Sequence, residues 1–418
     1  MRLFRSISLH KLSKIGIATT LAALPFLLPA AARAQSDIPV GVVLPITGKE
    51  ARPGQYQREG IDLAIKQIND SGGIFVKSLN KKLPVRETFY DDGSESARSA
   101  SLAERAMSSD NVVAVIGGYS TALGEAESVM PDRYKTPWIT PGAAATSIFS
   151  KGYGYTFGTL SSIENLGYTT GQFLGWLVDQ GKLKKGLKIA LAVENTDHGV
   201  DYVNGVQKWI GEHAGYFTVV FNEKFDYPGA TDFSGLLQKV RTSHADIFLS
   251  DAHLPDYLTM QRQYLQAGMY HQMISYGARG PEADARKAMG SGIDYIFAAT
   301  WWNPDLGYPQ VKKFNADYTA ATGHAPDSWY AGPAYDAMRI LAQAIEKAGS
   351  LDKTAIRDQL RAGELKSSLL PGQKLKFGAN GQATYPYVIV QNKPGGKVDI
   401  VFPQDAATGP PIAPKPQG

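Results

Sequence analysis

Val40-Gly41-Val42-Val43-Leu44 is a short apolar run; a loop with Gly48 and Gly54 follows, and then residues 56–69 set apolar side chains at 61, 64, 65 and 68. Such a run suits a strand buried on both faces, and the later spacing is that of a helix with one apolar stripe. The same order repeats outward from there. Residues 85–90 alternate as a strand, 95–107 have helical spacing, 112–116 form another apolar strand, 122–129 begin a helix and 138–140 form a fourth strand. Strands alternating with helices build right-handed βαβ crossovers and hence a doubly wound parallel sheet.

The pattern then starts afresh. Helical stretches at 166–178, 202–213, 233–240 and 255–267 alternate with strands at 188–193, 218–225, 247–250, 272–275 and 295–299. The fold class is therefore α/β, with two doubly wound parallel-sheet lobes. Helical stretches at 309–321, 333–348 and 353–361 have no strong strands between them and need a sheet to cover. Residues 387–390 and 398–402 form a hairpin about Pro394-Gly395-Gly396, and the Pro, Ala and Gly of 403–418 predict a disordered tail.

The 43 Lys and Arg exceed the 39 Asp and Glu by four, but Arg2, Arg5, Lys11, Lys14 and Arg33 all stand in the first 34 residues, which hold no acid. The rest is almost neutral, so nothing marks a nucleic-acid or anionic-membrane partner. Positive residues, an apolar stretch over 15–28 broken by Pro25 and Pro29, and Ala32-Arg33-Ala34 predict an export signal cleaved after Ala34 and a periplasmic product. The chain has no cysteine, which excludes disulfides, thiolate metal sites, a cysteine nucleophile and a lipid anchor on cysteine. Histidines at 198, 213, 244, 253, 271 and 324 show no paired metal-ligand spacing, and no phosphate-cradling glycine motif is present, so no metal and no cofactor is expected.

Gly118-Tyr119-Ser120-Thr121-Ala122 follows an apolar strand and precedes a helix. It comes within one residue of the nucleophile elbow of serine hydrolases, for which Asp251 and His253 are candidate partners. No oxyanion loop accompanies it. The same hydroxyls at a helix N-terminus suit a carboxylate ligand, or simply cap the helix. Tyr119, Tyr276, Trp301 and Trp302 all lie just past strands, where open α/β sheets place their ligand crevice. Arg52 and Arg279, in glycine-rich loops, are candidates to pair with a carboxylate.

Val40 to Gly48, Gly60 to Asn69, Asp91-Asp92-Gly93, 113–118, Pro137-Trp138-Ile139-Thr140-Pro141, Thr231-Asp232-Phe233 and Ala334-Tyr335-Asp336-Ala337 together resemble the branched-chain amino acid type of periplasmic substrate-binding protein, from Ile38 to about Phe402. The resemblance implies two lobes joined by a three-segment hinge. The first lobe then takes 35–158 and 303–373, and the second 159–302 and 374–402. It further implies a monomer that captures a small-molecule ligand by hinge closure, delivers it to an inner-membrane ABC permease and catalyses nothing. A ligand sensor of the same fold is the alternative role.

Carried over by resemblance, Ser120 and Thr121 receive the ligand carboxylate, Gly142 and Ala143 offer backbone, and Ala144 stands where a threonine is common. His198 stands where a tyrosine is frequent. Gly277 stands where amino-acid binders place the acid that receives the ammonium group, which points away from an α-amino acid unless Glu282 or Asp251 substitutes.

Overall fold

The computed structural model describes residues 35–227, 230–326 and 329–417. The leader and its cleavage point lie outside them. Five parallel strands form the first sheet: β1 Ile38–Leu44, β2 Val85–Asp91, β3 Ala114–Gly117, β4 Trp138–Thr140 and β5 Thr156–Gly158, in the order β2-β1-β3-β4-β5. Every residue of β1 is buried, because helices cover both faces. The second sheet repeats the pattern. Its strands β6 Leu187–Glu194, β7 Phe217–Phe225, β8 Ile247–Asp251, β9 Met273–Tyr276 and β10 Phe297–Thr300 run β7-β6-β8-β9-β10. The hairpin β11 Val388–Asn392 and β12 Val398–Phe402 then extends this sheet antiparallel to β10.

In each sheet the strand order reverses beside the first strand, between β1 and β3 and between β6 and β8. Such a switch point leaves a crevice beyond the carboxyl ends of the strands.

The late helices return to the first lobe. Ala331–Ala348 lies against Ala51–Asp70 so closely that a Cβ on Gly60 would stand 2.3 Å from the Ala331 carbonyl oxygen. Glu364–Lys366 and Lys374–Lys376 pair as a small ribbon, and Gln382 bridges Gly158 at the edge of the first sheet. The chain thus stays with the first lobe past 374, later than expected, and rejoins the second at Val388.

Three connections join the lobes, and one carbonyl gathers them. Ser161 oxygen accepts from Trp301 Nε1 at 2.8 Å, and Tyr387 OH lies 2.8 Å from the same oxygen and 2.6 Å from the Ser162 oxygen.

The expected disordered tail is instead laid along the second lobe. Lys415 N donates to Gln272 oxygen at 2.8 Å, Ile412 N to Gln391 Oε1 at 2.8 Å, and Lys393 Nζ to Pro410 oxygen at 2.7 Å. Proline removes backbone donors but leaves carbonyls, and lobe side chains such as Gln391 and Tyr270 pin those. Among the described residues no helix is long and apolar enough to cross a membrane.

Candidate functional site

The carboxyl ends of the two sheets face each other across a cavity of about 290 Å³. That is near the lower bound of small-molecule pockets, about 300 Å³. Its first-lobe wall comes from the loop after β1 (Lys49, Glu50, Arg52), from Tyr119 after β3 and from Tyr330 ahead of the returning helix. Its second-lobe wall comes from Tyr227 after β7 and from the loop after β8, which carries His253 and Asp256. Tyr119, Tyr227, Tyr330, Pro53, Pro255 and Leu254 give it a mainly apolar lining, beside which a few polar groups stand.

Glu50 is the central polar group of the first-lobe wall. Its Oε1 accepts from Ser120 Oγ at 3.0 Å and, across the cleft, from Tyr227 OH at 2.5 Å. Its Oε2 is buried without a partner. Ser120 is the extended residue ahead of the short helix Thr121–Glu127, and its side chain faces Glu50 instead of capping the helix. The Thr121 hydroxyl is also buried and unpartnered. Beneath this loop Glu127 accepts from Ser99 Oγ at 2.5 Å and from Trp138 Nε1 at 2.7 Å, and burial pushes its carboxyl up to about 8.

His253 is the matching group of the second-lobe wall. Its Nδ1 stands 2.6 Å from Glu194 Oε2, and its ring stacks on Tyr227 with centroids 4.3 Å apart. Burial opposes charge on both partners. Their mutual attraction wins, holding Glu194 down at about 2 and raising His253. On the other side of the ring Nε2 is buried without a hydrogen-bond partner.

Behind His253, His198 Nδ1 pairs with Asp251 Oδ2 at 2.5 Å. Glu194, His198 and Asp251 have possible metal-ligating atoms within 4.8 Å of one another, but each is already bonded to a neighbour in the wall.

Most other expected site residues stand elsewhere. Tyr276 is in the core of the second lobe, stacked near Tyr257 and donating to Gln261 Oε1 at 3.0 Å. Trp301 is a hinge residue packed on Trp329 at 4.4 Å, and Trp302 lies edge-on to Phe314 in the core. The N–H groups of Gly142 and Ala143 are bound by Thr140 Oγ1, at 3.2 and 2.9 Å, and the Ala144 carbonyl accepts from Gln382. Arg52 stands half-exposed at the rim, 3.4 Å from Asp284. Arg279 is buried 5.4 Å from the Trp329 ring, with Glu282 at 3.8 Å, and Glu282 also accepts from Tyr330 OH at 2.7 Å.

The sequence reading did not include Glu50, Tyr227 or Tyr330 in the site. Glu50 lies two residues past Gly48 in the loop after the first strand, the earliest place where a switch-point residue is to be sought. The hydrolase alternative finds no support, since Ser120 donates to a carboxylate and His253 Nδ1 is held by Glu194.

The sequence profile of the family described as periplasmic binding protein matches residues 37–397. The Leu/Ile/Val-binding protein homolog 8 of Brucella abortus is 28% identical over 386 residues, covering 90% of this chain and 92% of its own. A leucine binding protein from Thermotoga maritima has a similar fold, with a TM-score of 0.74 at 23% identity over 87% of this chain and 97% of that one. So has a solute binding protein from R. palustris, solved in complex with 4-hydroxybenzoate, with a TM-score of 0.72 at 20% identity over 87% and 95%. The profile match runs from the start of the first strand to the turn of the closing hairpin, and the chain belongs to the periplasmic binding protein family.

Proposed function

We propose that the protein captures a small organic molecule between its two lobes in the periplasm, after cleavage of the leader behind Ala34, and delivers it as a monomer to an inner-membrane ABC permease without catalysing a reaction. The observation that carries this reading is the interlobe cavity, where polar groups from both walls, Glu50 Oε2 and His253 Nε2, are buried without partners. A buried polar atom left unbonded costs about 1–3 kcal/mol, so each wall keeps a polar group in need of a partner. Contacts made only when both walls are present favour the closed arrangement.

The relatives' names support the ligand scale. One is called a leucine binding protein, and another was solved with 4-hydroxybenzoate. Solution scattering with and without the compounds that co-purify from native periplasm tests the reading. The radius of gyration is expected to fall on binding, and a bound compound that leaves it unaltered counts against closure.

A further inference from the structure

The switch point of the second sheet, between β6 and β8, gathers two carboxylates and two imidazoles. Glu194 is the last residue of β6 and Asp251 the last of the paired strand β8; His198 stands in the first turn of the helix Asp197–Glu212, and His253 two residues past β8. All four are buried, Glu194 to 1% and Asp251 to 2% exposure. Ligating atoms of Glu194, His198 and Asp251 lie within 4.8 Å of one another, and His253 Nδ1 is 2.6 Å from Glu194 Oε2. The bonds that pair these groups run within the set, His198 to Asp251 and His253 to Glu194, and no Lys or Arg among the described residues forms an ion pair with either carboxylate. An outer bond orients Glu194: Thr196 Oγ1 donates to its Oε1 at 2.5 Å, leaving Oε2 to the cluster. Buried charges persist when they are paired or when they coordinate a metal. Two carboxylates beside two neutral imidazoles balance one divalent cation.

We propose that this cluster is a divalent-metal site, with Glu194, His198 and Asp251 as ligands and His253 as the fourth at its edge. Imidazole nitrogens suit zinc and its transition-metal neighbours, whereas calcium and magnesium take oxygen ligands, so the ion is Zn²⁺ in preference to Ca²⁺ or Mg²⁺. Zinc stands about 2.0–2.2 Å from such atoms, which sets tetrahedral ligands about 3.3 Å apart. The close His–carboxylate pairs therefore open and the wider separations draw in, while the hydrogen between each pair moves to the far ring nitrogen or to solvent. His253 lines the interlobe cavity, so the ion enters from the cleft when the lobes part. The site goes beyond capture of an organic ligand: it ties two strand ends and a helix start together in the wall of the second lobe. Sequence spacing did not announce it because its histidines come from separate segments.

Dialysis of the chelator-treated, tag-free protein against Zn²⁺ alone, with the retained metal counted by elemental mass spectrometry, tests the proposal. One zinc per chain is expected, held at least tenfold more tightly than Mg²⁺ or Ca²⁺. His198→Gln and Asp251→Asn should each weaken zinc binding tenfold or more, while His244→Gln with His324→Gln, which lie outside the cluster, should leave it unaltered. Co²⁺ in place of zinc should give the intense visible absorption of a four-coordinate nitrogen and oxygen site. No zinc retained, or one tight zinc kept by a folded His198→Gln, overturns the proposal. If neither cluster variant unfolds cooperatively, the unaltered protein decides through Co²⁺, where the weak spectrum of a six-coordinate ion overturns it. Capture of co-purified organic compounds is measured separately on the metal-free protein, so a failed zinc site leaves the binding function standing.

Discussion

The carboxylate of Asp251 fills the space that a side chain at Gly277 would need: a Cβ built on Gly277 would stand 2.1 Å from Asp251 Oδ1, and the residue adopts a φ of +58°. The acid that the second lobe lacks at 277 is thus present from the neighbouring strand, but it is committed to His198 at 2.5 Å. An acidic side chain introduced at 277 has no free space beside Asp251. Gly277→Glu is expected to destabilise the protein by about 1–3 kcal/mol through overpacking, with further strain from the left-handed backbone. Thermal unfolding checks this, and an unaltered midpoint would show that Asp251 yields freely.

Tyr227→Phe removes the hydroxyl that joins the second lobe to Glu50 while leaving the ring stacked on His253. A hydrogen bond to a charged acceptor contributes about 1.5–3 kcal/mol, so affinity should fall roughly tenfold or more. Because the bond forms between the lobes, the loss should appear mainly as faster ligand release in stopped-flow measurements. An unchanged release rate speaks against Tyr227 as a latch.

Glu127 sets a pH dependence whose sign follows from its raised carboxyl. In the unfolded chain it titrates near its ordinary value of 4.5, and in the fold at about 8. Between those values the folded state holds the proton more tightly, so stability is full below about 4.5 and falls as pH rises through about 8. Asp92, pushed up to about 6 by burial, acts with the same sign over a narrower window. Glu127→Gln should flatten the fall, with its largest relative gain near pH 8. Unfolding midpoints at pH 5 and pH 8 in both proteins decide it.

Removing residues 403–418 takes away the pinning bonds of Ile412 and Lys415, each worth about 0.5–1.5 kcal/mol net. We expect a loss of about 1–3 kcal/mol in denaturant unfolding with ligand affinity unchanged, since the tail contributes nothing to the cavity wall. A change in affinity would mean that the tail acts on closure.

The sheets were legible because most strands are local apolar runs, β2 and β7 alternate, and each helix keeps its stripe, so β1 through β10 follow from periodicity apart from β5, whose three residues end in glycine. The site was less legible. Tyr276 does follow an apolar run, but as the last residue of β9 its side chain lies among Phe248 and Tyr257 within the lobe. Trp301 is at a strand end for the sake of the hinge. Glu50, Tyr227 and Tyr330 come from loops far apart in sequence, and only the closing of one lobe on the other gives them a common role. The tail was misread for a related reason: its order comes from Gln391 and Tyr270 in the lobe beneath it, not from its own composition.

Because Trp301 and Tyr387 both reach the Ser161 carbonyl, the three connections are tied to one another as a single axle. The energy separating open from closed is then set partly at that axle, at residues absent from the cavity wall. A shift in that balance rescales apparent affinity for every ligand by the same factor. The protein can thus be matched to a scarce or an abundant solute without any change in which solute it prefers.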